Sequence, residues 1–338
     1  MFRLLAHLEN GGILGAAVDA APPPPRGARA TLGQMIRRAR NPRLVYELRP
    51  RLDVVFAGAR VTTDGSGFRA VAGNAGAAAA RRIVGIGDSY MFGQGVADEQ
   101  TYLSVLQRRL ADADQAARPW SVVNLAVPGY NTVMEVESLK DKALEPLPRV
   151  VIVEVVGNDL DLPNFIRRPQ PVWALDRSFL AAFASRRLRL LKRAPDEREA
   201  EGLRGAPEAE GGPVAHFEDD PSRVPPEYAD MVGWTAFEKA VRELARLRDA
   251  HGMAVVVLSQ SPSFDWFDRR SRRLFAQLGV PFLDVGRVVR RYVADNGFPD
   301  YLHSPLAVSR TDPHPSPQGH ALAAAELFRF LEGQGLLQ

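Results

Sequence analysis

From residue 81 onward, short apolar runs alternate with stretches of helical spacing, and this alternation constrains the fold more than any other feature. Ile83-Val84-Gly85-Ile86-Gly87 is an apolar run bounded by charge and turn residues, the pattern of a strand buried on both faces. Residues 101–112 read as a helix with Leu103, Leu106 and Leu110 on one face. Residues 122–127 read as the next strand. The helix after it, over 132–144, carries Val133, Val136 and Leu139 at helical spacing, and a third strand covers 150–156. Further on, 234–251 reads as a helix, 254–258 as a strand, 267–278 as a helix and 281–285 as a strand, with a terminal helix over 317–332. Strands alternating with helices require crossover connections, and a parallel sheet built that way is covered on both faces. The expected fold is therefore a three-layer α/β/α sandwich on a parallel, flavodoxin-like sheet of about five strands.

The rest of the chain is less regular. Residues 1–80 read as an N-terminal appendage to a main unit over 81–338. Within it, prolines 22–25 form a stiff connector, residues 31–40 a short basic helix, 44–46 and 54–56 strands, and 73–80 a small-residue linker. The main unit carries an insertion at about 161–232, too long for a simple loop. Between 167 and 193, eight basic residues accompany one acid; between 196 and 220, nine acids accompany two bases. Phe165, Trp173, Phe179 and Phe183 give the first half more aromatic surface than a free linker needs. We expect 163–193 to form one wall of a substrate cleft, with a basic face available to a protein or surface partner. The acidic part, 196–220, is expected to be mobile.

Several function classes are excluded. The chain has no cysteine, so a disulfide framework, a thiolate metal site and a cysteine nucleophile fall away. A net charge of +3 on 338 residues argues against a nucleic-acid partner. No run of about 18 apolar residues occurs, so no transmembrane segment is expected. His7, Glu9 and Asn10 interrupt the apolar start of the chain, which lacks the core of a secretion signal; a cytoplasmic location is expected. His216, His251 and His303 lack metal-ligand spacing, so neither metal nor cofactor is expected. Gly85 and Gly87 run into Asp88-Ser89-Tyr90, which is no dinucleotide fingerprint.

In an open parallel sheet, ligands bind at the carboxyl ends of the strands. The first strand is followed by Gly87-Asp88-Ser89-Tyr90, the second by Pro128-Gly129-Tyr130-Asn131 and the third by Gly157-Asn158-Asp159. Asp312-Pro313-His314-Pro315 precedes the last helix. These stretches hold the parts for acyl transfer through a serine. The Ser89 hydroxyl needs a base to take its proton, and His314 is the candidate. The imidazole needs a partner to fix its tautomer, and Asp312 is the candidate. The oxyanion of the tetrahedral intermediate needs placed donors: the backbone N–H of Ser89, that of Gly129 and the side-chain amide of Asn158. A lone serine after a strand is more often a helix cap; the four stretches together point to chemistry. Asp88 reads as a turn residue, His320 as packing on the last helix, and Tyr90 and Tyr130 as pocket lining or packing.

At these four stretches the chain resembles the SGNH, or GDSL, hydrolases. Gly87-Asp88-Ser89 matches their first block, residues 124–129 the second, Gly157-Asn158-Asp159 the third and Asp312-Pro313-His314-Pro315 the last. The run from Gly87 to Val96 further resembles bacterial members linked to polysaccharide acylation. The resemblance covers roughly 81–160 and 250–332. It implies a serine hydrolase of acyl or acetyl esters, acting on a small-molecule or carbohydrate ester. One departure stands out. The usual last block has aspartate three residues before histidine, where this chain has Thr311; Asp312 is two before, with a turn at Pro313 expected to bring it to the imidazole and Asp300 as the fallback. Two other readings remain open: an O-acyltransferase that hands the acyl group to a carbohydrate hydroxyl, and a non-catalytic binding module on the same fold.

Overall fold

The computed structural model describes residues 23–74, 81–113, 119–163, 224–263 and 265–338. The first described segment holds a short helix α1 (Leu32–Met35) and strand β1 (Ile36–Arg38), which pairs antiparallel with β2 (Tyr46–Leu48). A hairpin of β3 (Asp53–Phe56) and β4 (Ala59–Thr62) follows. The helix expected over 31–40 stops at Met35. Ile36 turns extended, at φ −99° and ψ 161°, and pairs with Leu48. Pairing with a distant strand buries Ile36, and that tertiary gain overrides the weak local preference for helix.

The main sheet contains β5 (Arg81–Ile86), β6 (Trp120–Asn124), β7 (Val150–Glu154), β8 (Ala254–Ser259) and β9 (Phe282–Asp284). All neighbours are parallel, and the order is β6-β5-β7-β8-β9. Every residue of the central strand β7 is buried, as a sheet covered on both faces demands. Among the described residues the helices around the sheet are α2 (Ser89–Phe92), α3 (Tyr102–Ala113), α4 (Thr132–Lys142), α5 (Gly233–His251), α6 (Trp266–Gln277), α7 (Val285–Asp295) and α8 (Pro317–Gly333). Helix α3 packs on α8, and α4 packs on α5. The chain leaves β5 for β6 on one side, then returns past β5 to β7 on the other. Right-handed crossovers in opposite directions place α3 and α4 on opposite faces and open a crevice at the carboxyl ends of these three strands. The three-layer sandwich and the five parallel strands are as expected. Helix α7 was not read from the sequence, although Asp284 caps it by accepting the Arg287 N–H at 2.8 Å.

The segment 24–74 shares one hydrophobic core with the sheet. Met35, Leu44, Val54 and Val61 are buried in the same cluster as Ile83, Val151 and Val256. A buried cation joins the two parts. Arg69 is 1% exposed, and its guanidinium donates to the carbonyls of Gly93 at 2.6 Å and Val96 at 2.7 Å, to that of Phe92, and to the Asp98 carboxylate at 3.1 Å. Asp98 also accepts from the Thr62 N–H at 3.0 Å and its hydroxyl at 2.6 Å. Burial draws the Arg69 guanidinium down to about 10, which leaves it charged at neutral pH. The wall expected over 163–193 and the mobile part expected over 196–220 fall almost wholly on residues 164–223, outside the described residues.

Candidate active site

Ser89 opens α2 directly beyond β5. Asp88 caps this helix by accepting the Tyr90 N–H at 2.9 Å, and Gly93 ends it at φ +84°. A helix that short leaves Ser89 in its first turn, at the mouth of the crevice.

His314 and Asp312 come from β11 (Asp312–Pro315), which pairs with β10 (Ala307–Ser309). The turn expected at Pro313 is absent; the segment is extended. Alternate residues of a strand share a face, so a two-residue spacing puts both side chains on the same side. Asp312 Oδ1 lies 2.5 Å from His314 Nδ1 and also accepts the His314 N–H at 3.0 Å. His314 Nε2 lies 2.8 Å from Ser89 Oγ. With Nδ1–H donating to the carboxylate, Nε2 is left as an acceptor for the serine hydroxyl. Tyr90 flanks the imidazole with ring centroids 5.0 Å apart. The fallback Asp300 is engaged elsewhere: it caps a short turn and meets His303 Nδ1 at 2.8 Å.

Gly129 and Asn158 follow β6 and β7 at the same edge. Gly129 has φ +82°, and an added Cβ would meet Tyr46 Oη at 2.9 Å and Pro163 Cγ at 3.0 Å. Both the backbone conformation and the space therefore demand glycine. Asn158 is exposed, and its Nδ2 donates to Asp88 Oδ2 at 3.0 Å. An amide nitrogen carries two hydrogens, so one remains for a ligand in the crevice. Asp88 does more than hold a turn. It caps α2, anchors Asn158 and lies 3.2 Å from Ser89 Oγ, bridging the first and third strand ends. The longer distance makes it a weaker partner for that hydroxyl than His314.

Beneath the crevice lie three buried acids: Asp159, which the sequence reads as a cap or turn residue and which accepts the Val156 N–H at 3.1 Å, and Glu154 and Glu135, which sequence reading passed over. Glu154 ends β7, accepts from Tyr102 Oη at 3.0 Å and Gln260 Nε2 at 2.6 Å, and is pushed up by burial to about 8. Glu135 and Asp159 are both pushed well above the usual carboxylate range, first by burial and then by a neighbouring carboxylate, that of Asp159 for Glu135 and that of Asp88 for Asp159. A glutamate closing a run of Val-Val-Ile-Val was the one available signal for Glu154. His320 is fully buried, accepts the Tyr102 N–H at its Nδ1 at 3.2 Å and stacks on that ring; burial holds it down at about 3. It packs rather than titrates at neutral pH. Tyr130 is likewise buried, edge-on to Tyr46.

Among the described residues no group of three His, Asp or Glu side chains could hold a metal ion. No helix among them is long and apolar enough to cross a membrane.

A sequence model of the GDSL-like lipase/acylhydrolase family matches residues 86–322. Solved structures align with the chain, among them the following three. The lipase/acylhydrolase from Enterococcus faecalis is 14% identical, with a TM-score of 0.41, covering 75% of this chain and 96% of its own. An acetylxylan esterase from Geobacillus stearothermophilus is 13% identical, with a TM-score of 0.42, covering 74% and 93%. The acetyl xylan esterase AlAXEase is 13% identical, with a TM-score of 0.43, covering 74% and 99%. No curated protein matches the chain.

Proposed function

The chain belongs to the GDSL-like lipase/acylhydrolase family and is an ester-hydrolysing enzyme, and from that premise we propose that Ser89, His314 and Asp312 carry the reaction through an acyl-enzyme. The observation that carries the reading is the continuous contact from Ser89 Oγ to His314 Nε2 at 2.8 Å and from His314 Nδ1 to Asp312 at 2.5 Å.

The steps follow from these contacts. His314 Nε2 takes the hydroxyl proton as Ser89 Oγ bonds to the ester carbonyl carbon. The carbonyl π electrons move onto oxygen, which is met by the backbone N–H groups of Ser89 and Gly129 and by the free hydrogen of the Asn158 amide. Asp312 stabilises the imidazolium and holds its orientation. As the carbonyl re-forms, the C–O bond to the alcohol breaks and His314 returns the proton to the leaving oxygen. Water then attacks the acyl-Ser89 ester with His314 again as base, releasing the acid and restoring the serine. Substrates are acyl or acetyl esters of small molecules or carbohydrates. A binding module would have no use for this chain of contacts, so the geometry favours catalysis over that alternative.

Ester hydrolysis by Ser89→Ala tests the reading. The variant is expected to lose about 10⁵-fold or more in kcat while keeping the thermal stability of the parent. Activity within about tenfold of the parent would mean that another group is the nucleophile.

A further inference from the structure

The loop carrying Gly129 is held on both flanks by one residue from outside the family-matched stretch. Tyr46 is fully buried, and its Oη donates to the Pro128 carbonyl at 2.8 Å. In return the Tyr130 hydroxyl donates to the Tyr46 carbonyl. The two rings meet edge to face, 5.2 Å between centroids and 68° between planes. Burial pushes both hydroxyls well above their ordinary range, so both remain donors.

The geometry of one peptide unit gives the first contact its meaning. The Pro128 carbonyl and the Gly129 N–H belong to the same planar group, and in a trans peptide they point in opposite directions. A donor fixed on that oxygen therefore fixes where the Gly129 N–H points. It also draws electron density toward the oxygen, which strengthens the N–H as a donor.

The chain goes to some trouble to deliver this side chain. Val45, directly before it, sits at φ +60°, and the Tyr46 N–H reaches back to the Leu44 carbonyl at 2.6 Å. That is a γ-turn of positive φ, a rare conformation and for a β-branched residue an outlier. Such conformations persist only where the surroundings enforce them, and they gather at functional sites. Here the surroundings are the buried Leu44 and Val45 side chains and the pairing of Tyr46 with Arg38.

We infer that Tyr46 is a positioning residue for the oxyanion hole: its hydroxyl orients the Pro128–Gly129 peptide so that the Gly129 N–H faces the developing oxyanion. The inference rests on the reading of Gly129 as an oxyanion donor. It makes the segment 24–74 a working part of the site.

The test is kinetic, on the full chain. Tyr46→Phe keeps the ring and removes only the donor. It is expected to lower kcat about tenfold or more with KM within about twofold, as loss of a transition-state contact requires. The rate at which a fluorophosphonate labels Ser89 is expected to fall by a similar factor, because that reaction also places charge on an oxygen in the hole. Thr63→Val is the control. It deletes another buried hydroxyl of the same segment, which donates to the Arg49 carbonyl at 2.7 Å and accepts the Leu52 N–H at 2.9 Å, away from the site. That variant is expected to lose stability and keep kcat. Equal kcat losses in the two variants, or kcat within about twofold of the parent in Tyr46→Phe, overturn the inference. A parent labelled at Ser89 secures the nucleophile in either event, and a kcat loss in Gly129→Ala where Tyr46→Phe has none leaves Gly129 as a donor and overturns only the role of Tyr46; a parent that hydrolyses esters without labelling at Ser89 overturns both.

Discussion

The loops at the carboxyl ends of β5, β6 and β7 and the segment 24–74 meet at one place, but they are built differently. Each loop follows a strand whose own residues demand burial, such as Val150–Glu154 with every position buried. The four strands of the segment are three or four residues long and take their shape from partners: Ile36 from Leu48, Tyr46 from Pro128 and Arg69 from the turn after α2. In the proposed reaction the first kind of element supplies groups that touch substrate, and the second supplies groups that hold them. Variants of the first should therefore cost rate at little cost in stability, and Arg69 in the second should show the reverse.

The largest expected effect separates two aspartate–histidine pairs that look alike on paper. Asp312→Asn should lower kcat by about 10³–10⁴, because the imidazole loses its tautomer lock. Asp300→Asn, which disturbs only His303, should stay within about twofold by the same criterion. Steady-state kinetics on both variants would break the assignment if the order were reversed.

Asn158→Ala should lower kcat by about 10²–10³ with little change in KM, since its amide meets charge that exists only in the transition state. A change confined to KM would make Asn158 a ground-state contact instead.

Arg69→Met sharpens the other side of the comparison. It removes a buried cation and takes one donor from each of three carbonyls and from the Asp98 carboxylate. Breaking a buried pair in this way costs about 3–5 kcal/mol. For a chain of this size that is a fall in Tm of about 4–7 °C, readable by calorimetry. A Tm within about 2 °C of the parent would show that the segment is not anchored through Arg69.

The smallest effect concerns the layer beneath the site. Glu154 is held up at about 8 when folded, against 4.5 for the ordinary side chain. Between those values the folded chain keeps a proton that the unfolded chain has lost, so stability falls as pH rises from 4.5 through 8 and is level above. From pH 6 to pH 8 the loss from this group is about 2 kcal/mol, or about 3 °C in Tm. Glu135 and Asp159 act in the same direction, so Glu154→Gln should flatten the decline without removing it. An unchanged slope in the variant would mean that Glu154 is already ionised in the folded chain.

What could be read in the sequence follows the same division. The sheet, most of its helices and the four loops were legible because each strand announces itself by a local apolar run. Asp312 and His314 were legible as residues, but their two-residue spacing was ascribed to a turn; the strand that makes such a spacing natural depends on pairing with Ala307–Ser309. The triple duty of Asp88 was hidden because one of its partners, Asn158, lies 70 residues away. Tyr46 was seen only as part of a short strand, since nothing local ties it to a carbonyl 82 residues downstream. Residues that touch substrate leave motifs. Residues that position them are recorded in the packing.

The central claim is that Ser89 carries the acyl group in turnover. The most direct measurement is to quench the full chain with acid while it hydrolyses an activated acetyl ester, and to map the adduct by mass spectrometry. Turnover through Ser89 requires an acetyl group on the peptide containing Ser89, absent from Ser89→Ala and formed far more slowly in His314→Ala, which lacks the base for acylation as well as for release. An acetyl group mapped to another residue, or steady hydrolysis with no covalent adduct under any quench, would contradict it.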